Sequence, residues 1–182
     1  MPIARRRLAA LALPLLALPA TARAATKREI DDAVAPALAR LQEQDGTRIL
    51  ADNAKAILIF PRIIRGGFVF GGQYGNGAMI EGTETTGYYN IAGASFGLQI
   101  GAQTYGLAMF IMTAEALEFF RKSQGWEIGT GPSVVALDAG LAGSLTSTTM
   151  SQDVYAVTFG QQGLMAALAL NGTKITKITP DT

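Results

Sequence analysis

Between Gly66 and Tyr105 the chain keeps returning to a period of two, with glycines four residues apart at Gly67, Gly71 and Gly75 and at Gly93, Gly97 and Gly101. Over Gly66–Gly77 an extended chain places Phe68, Phe70, Gly72 and Tyr74 on one face, with Gly67, Val69, Gly71 and Gln73 on the other. Over Gly93–Tyr105 the contrast is sharper. Phe96, Leu98, Ile100 and Ala102 make an apolar face, while Gly93, Ser95, Gly97, Gln99, Gly101 and Gln103 carry only small or amide side chains. That pattern predicts a single two-sided strand. Glycine weakens a strand unless the sheet must bend or a backbone must come close. So many of them predict a strongly curved, barrel-like sheet.

The remaining segments fit around that sheet. Ile30, Val34, Leu38 and Leu41 fall at i, i+4, i+8 and i+11, the stripe of a helix over residues 27–44. Pro36 should kink or divide it. Gly46 reads as its stop, with a short second helix over 47–53. Ala56–Phe60 is a fully apolar run that predicts a buried strand ended by Pro61. Ala78–Ile80 and Gly87–Ile91 read as strands joined by the polar turn 81–86, and Leu107–Met112 as another buried strand. Thr113 is placed to cap a helix over 114–122, with Glu115 in its first turn. Strands are then expected at 133–137, 144–149, 154–159, 164–170 and 173–178, with Asn171-Gly172 as a hairpin turn. Strands without a regular strand–helix alternation predict an α+β fold: one domain, a mainly antiparallel sheet, N-terminal helices and one mid-chain helix.

Residues 1–24 read as a secretory leader. Arg5, Arg6 and Arg7 precede an apolar run of 12 residues, and Ala22-Arg23-Ala24 suits cleavage before Ala25. The run is too short to span a bilayer, which takes about 20 residues. The expectation is an exported chain, periplasmic or peripherally held at the envelope membrane, with residues 25–182 as its domain. The leader takes four of the 15 basic residues and none of the 14 acids, leaving a net charge of −3. A nucleic-acid partner would call for a basic excess. With no histidine and no cysteine, the usual zinc and haem ligands, thiol nucleophiles and histidine-based triads are excluded. Neither a metal nor a cofactor is expected. Gly93-Ala94-Ser95-Phe96-Gly97 matches the nucleophile-elbow spacing, but that motif needs a histidine and a strand-to-helix turn. Glu115 and Glu118 lie one helical turn apart and read as a solvated helix surface. The chain reads as a binding protein, not an enzyme.

One local basic group stands out. Lys55, Arg62 and Arg65 flank Ile63 and Ile64 at a glycine-rich turn. Guanidinium groups pair with phosphate, and the two isoleucines could enter an acyl boundary, which points to an anionic lipid surface. The other reading makes both isoleucines core and the arginines solvated. The helical stripe Ile30, Val34, Leu38 and Leu41 offers the same choice between a membrane face and the protein's own core; its mixed charge favours the core.

Ala54–Pro61, Gly66–Gly77, Phe96–Gln103, Gly163–Ala166 and Asn171–Ile175 together, in this order, resemble the SYLF domain family, closest to its exported bacterial branch. The resemblance implies phospholipid binding, with phosphoinositide and actin-filament binding in eukaryotic members. An exported chain meets no actin, so actin is not expected as a partner. The family's N-terminal amphipathic helix would correspond to the Ile30–Leu41 stripe and its membrane-proximal cations to Lys55, Arg62 and Arg65. The expected function is thus binding of anionic phospholipid headgroups. The alternative is an envelope scaffold acting through protein–protein contacts.

Overall fold

The computed structural model describes residues 25–67, 70–96, 101–137, 142, 150–160 and 172–182. Two helices, α1 (Lys27–Glu43) and α2 (Asp45–Asn53), precede four long strands: β1 (Ala56–Gly67), β2 (Phe70–Glu81), β3 (Glu84–Phe96) and β4 (Gly101–Ile111). After α3 (Ala114–Lys122) come four short strands: β5 (Gly125–Glu127), β6 (Val134–Leu137), β7 (Val154–Phe159) and β8 (Thr173–Ile178). All eight join one half-barrel sheet in the order β5-β8-β3-β2-β1-β4-β7-β6. Every pairing is antiparallel except β6 with β7. The α+β fold expected from the sequence is present.

Local chemistry explains the helix ends. The Thr26 hydroxyl accepts from the Glu29 amide (3.2 Å), and the Thr26 amide donates to the Glu29 carboxylate (2.8 Å). This reciprocal pair satisfies two donors that helix geometry leaves orphaned. Thr113 caps α3 as expected, accepting from the Ala116 amide at 3.2 Å. Pro36 does not divide α1, which runs through it as one element. Both Pro36 and Asp32, whose carbonyl loses its helical donor, lie on the solvent side, where water can replace that bond. Gly46 is no stop either. Extended backbone at Gln44 ends α1, and Gly46 lies buried in the first turn of α2. There the Thr47 hydroxyl donates to the carbonyls of Leu41 and Gln44.

Pro61 does not end β1, which continues six residues further. The register slips at this point on both sides. Ile59 faces Ala78 but Arg62 faces Asn76; Phe60 faces Leu107 but Ile63 faces Tyr105. This β-bulge accommodates a residue that cannot donate to the ladder. The residues skipped on the partner strands are Gly77 and Gly106. A Cβ on Gly77 would lie 2.1 Å from the Ile59 carbonyl oxygen, and one on Gly106 would lie 2.4 Å from the Phe159 ring. Gly82, with φ +60°, opens the two-residue connection between β2 and β3, a position that favours glycine in hairpins.

Two further expectations need correction. Residues 93–105 are not one strand; they divide between the end of β3 and the start of β4, which are separated in the sheet by β2 and β1. A period of two persists across any turn that preserves the facing, so the pattern could not mark the break. Likewise 66–77 divides between β1 and β2. The strands expected at 144–149 and 164–170, and Asn171, lie outside the described residues.

Core packs on both sides of the sheet. On one face Leu58, Phe60, Ile63, Met109 and Tyr89 meet Leu117 and Phe120 of α3 and Trp126 of β5. The Phe120 and Trp126 rings stand edge to face at 4.3 Å, a geometry that adds to the burial itself. On the other face Ile57, Ile59, Ala78 and Phe110 meet α1 and α2 through Ile30, Val34, Ala37, Leu41 and Leu50.

Candidate functional site

Beyond the bulge at Pro61, the sheet face on the α1 side carries two transverse rows. One runs Lys174 (β8), Ala92 (β3), Tyr74 (β2), Ile64 (β1), Thr104 (β4). The next, nearer the helices, runs Thr176, Asn90, Asn76, Arg62. Ile64 and Tyr74 are direct cross-strand partners, 47% and 56% exposed, and they are the exposed large hydrophobic residues among those described. Arg62 and Lys174 are exposed as well. Thus an apolar pair lies between two cations beside the start of α1.

Two adjoining clefts open beside it. One, of 380 Å³, runs between Ala25, Ile30 and Ala33 at the start of α1 and Arg62, Ile64 and Tyr74 on the sheet. The other, of 480 Å³, lies between Tyr74, Asn90 and Thr176 and the C-terminal residues Ile178 and Pro180. Tyr74, Asn76 and Ala25 line both. The Asn90 side chain fixes the floor by donating to the Gly75 carbonyl (2.9 Å) and to Asn76 Oδ1 (3.1 Å). Glu29 is the acid at the rim.

The structure separates the residues that the sequence grouped. Lys55 is exposed just before β1, seven residues and roughly 20 Å of extended strand from Arg62. Ile63 is fully buried in the core, so it cannot enter a membrane. The bulge at Pro61 sends it inward and its neighbour Ile64 outward. Arg65 falls on the opposite sheet face from Arg62 and Ile64, beside Tyr105. In α1, Ile30, Val34 and Leu41 are buried and Leu38 is half-buried against the sheet, which is the core alternative rather than a membrane face. Sequence reasoning missed Lys174 and the site role of Tyr74. The period-2 pattern put Tyr74 on a face, but only the register could show that Ile64 and Lys174 share it. Glu118 pairs with Lys122 at 2.5 Å on the surface of α3. Among the described residues, no cluster of acids could hold a metal ion, and no helix is long and apolar enough to cross a membrane.

The clefts depend on how α1 is held. Its amide at Lys27 donates to the Asp181 carbonyl (2.9 Å), and Asp31 accepts from Tyr88 Oη (2.8 Å) and Thr85 Oγ1 (3.2 Å) on β3. Burial, reinforced by the Asp31 carboxylate, pushes the Tyr88 phenol up to about 12. A raised folded pKa contributes stability that is complete below the unfolded value of 10.0 and is lost as pH rises towards 12. Absorbance titration should show late-ionising tyrosines, since burial also raises Tyr89 and Tyr105, and Asp31→Asn should move one of them, Tyr88, down. Unfolding midpoints should fall between pH 10 and 12 in the parent and less so in Tyr88→Phe.

Residues 92–180 match the family model Ysc84, described as Las17-binding protein actin regulator. Over those residues the chain carries a Ysc84 (SYLF) domain match. The match begins within β3 and takes in β4, α3 and β5–β8. It includes Lys174, Thr176 and Thr104, whereas Arg62, Ile64 and Tyr74 precede it. The candidate face is therefore assembled from the Ysc84-matching part and the two strands before it. No curated protein matches the chain significantly. Ysc84 domains form a family of binding domains.

Proposed function

We propose that this Ysc84-family chain is a non-enzymatic phospholipid-binding protein of the bacterial cell envelope. It binds anionic lipid headgroups through the open face of β8-β3-β2-β1. The supporting observation is the exposed Ile64–Tyr74 pair set between Arg62 and Lys174. A guanidinium forks onto phosphate oxygens, a lysine adds about 1 kcal/mol near an anionic surface, and a tyrosine suits an interface with one wet and one apolar side. Residues 1–24 read as a leader ending near Ala24, which would place the face in the periplasm or against the envelope membrane. The family's description names Las17 and actin; a protein outside the cytoplasm meets neither.

Co-sedimentation of residues 25–182 with vesicles tests this reading. Vesicles of phosphatidylcholine plus phosphatidylglycerol should pellet the protein, and vesicles of phosphatidylcholine alone should not. Arg62→Glu combined with Lys174→Glu should weaken binding roughly 30-fold or more, given about 1 kcal/mol per cation and added repulsion on reversal. Both positions are exposed, so stability should stay within about 0.5 kcal/mol. Negligible pelleting with both vesicle types would reject lipid binding in favour of an envelope scaffold working through protein contacts.

A further inference from the structure

The opposite sheet face carries a second transverse row at the same end: Thr173 (β8), Gly93 (β3), Gln73 (β2), Arg65 (β1), Gln103 (β4). Most of it is tightly specified. Tyr105 Oη donates to Gln73 Oε1 at 2.8 Å, and Gln73 Nε2 donates to Thr173 Oγ1 at 2.7 Å. The glycine at 93 makes that reach possible. A Cβ there would sit 3.2 Å from both Gln73 Nε2 and Thr173 Oγ1. Gln73, Thr173 and Tyr105 are all buried.

Arg65 breaks the pattern of satisfaction. Its Nε is buried with no hydrogen-bond partner, and no ion pair among the described residues includes it. Its neighbours in the row are amides, a glycine and a hydroxyl, none of which can carry negative charge. The nearby Tyr105 phenol cannot serve as counter-ion, since burial holds it above the ordinary tyrosine range despite Arg65. A half-buried guanidinium without an anion is costly, because buried charges are normally paired. Gln103, partly buried on the next strand, places a second donor about 4.8 Å across the ladder.

We infer that Arg65, with Gln103 beside it and the Gln73–Thr173–Tyr105 network as its wall, forms an oxyanion site for a phosphate group, separate from the open lipid-facing surface. A phosphate suits it better than a carboxylate. Its oxygens point in several directions and can meet the guanidinium fork and an amide on the neighbouring strand together. The group could belong to a lipid headgroup or be free phosphate. This site does not depend on the lipid-surface reading, because Arg62 and Lys174 lie on the other face.

Thermal unfolding of residues 25–182 with inorganic phosphate against chloride, at equal ionic strength, tests the inference. Phosphate at about ten times its dissociation constant should shift the unfolding equilibrium roughly 11-fold. Arg65→Gln should abolish that shift, and Arg62→Gln should leave it intact. Without phosphate, Arg65→Met should be no less stable than the parent, since it removes an unpaired cation. An equal response to phosphate and chloride, a full response in Arg65→Gln, or a marked loss of stability in Arg65→Met would each overturn the site. Phosphatidylglycerol vesicles identify the source. Weaker pelleting of Arg65→Gln assigns the phosphate to a headgroup; unchanged pelleting with a lost phosphate shift assigns it to the free ion.

Discussion

Replacing Gly77 with valine should destabilise the protein by about 3 kcal/mol or more, at or beyond the upper end for overpacked cores. The reason lies in the bulge at Pro61. Gly77 is the residue that β2 omits from the register, and a Cβ there would meet the Ile59 carbonyl oxygen at 2.1 Å and the Phe60 ring at 2.7 Å. The first of these is backbone and cannot swing away. Gly72, on the same strand, is a matched control. Its Cβ would find nothing nearer than the Gly93 carbonyl oxygen at 3.7 Å, an ordinary contact, so Gly72→Ala should change stability little. Urea unfolding of both variants checks the contrast. Similar midpoints for Gly77→Val and the parent would mean that the strands do not pair in this register.

The adjacent isoleucines should respond in opposite ways. Ile63→Ala should cost about 2–5 kcal/mol, the range for a fully buried aliphatic side chain cut to alanine. Its vesicle binding, measured where it remains folded, should be retained. Ile64→Ala should cost little stability, because nearly half the side chain is already in water, yet it should weaken vesicle binding. Fully burying such a side chain is worth about 1.5–3 kcal/mol; the half still in water supplies about half of that, so its removal should reduce affinity about 4- to 13-fold. Denaturation and co-sedimentation on the same two variants separate the core residue from the surface residue. A vesicle defect in folded Ile63→Ala without one in Ile64→Ala would reverse the assignment of faces.

Much of the fold was legible because it is written in local chemistry. The stripe from Ile30 to Leu41 gave α1 and its inward face, and Thr113 followed by Glu115 gave the start of α3. The apolar run Ala56–Phe60 gave the buried half of β1. What the sequence concealed depends on contacts between strands. Proline ends many strands, but Pro61 sits in a bulge opposite Gly77 and Gly106, residues 16 and 45 positions away, and only a glycine at 77 leaves room for the Ile59 carbonyl. Nothing near Pro61 announces them. The same bulge decided the candidate site. Lys55, Arg62 and Arg65 are close in sequence, yet alternation and the inserted residue send them to different places. Lys174, more than a hundred positions from Arg62, shares its face only through the register of β3 with β8.

The length of β1 has a consequence for how the protein can be altered. Ala56–Phe60 belongs to the packed interior, while Arg62 and Ile64 are exposed and Arg65 is half-buried at the other end. Ile57 and Ile64 are about 20 Å apart along the strand, well past the separation at which substitutions begin to influence one another. Ligand preference can therefore be retuned at one end of a continuous backbone without renegotiating the packing at the other, and the free-energy effects of the two sets of changes should simply add.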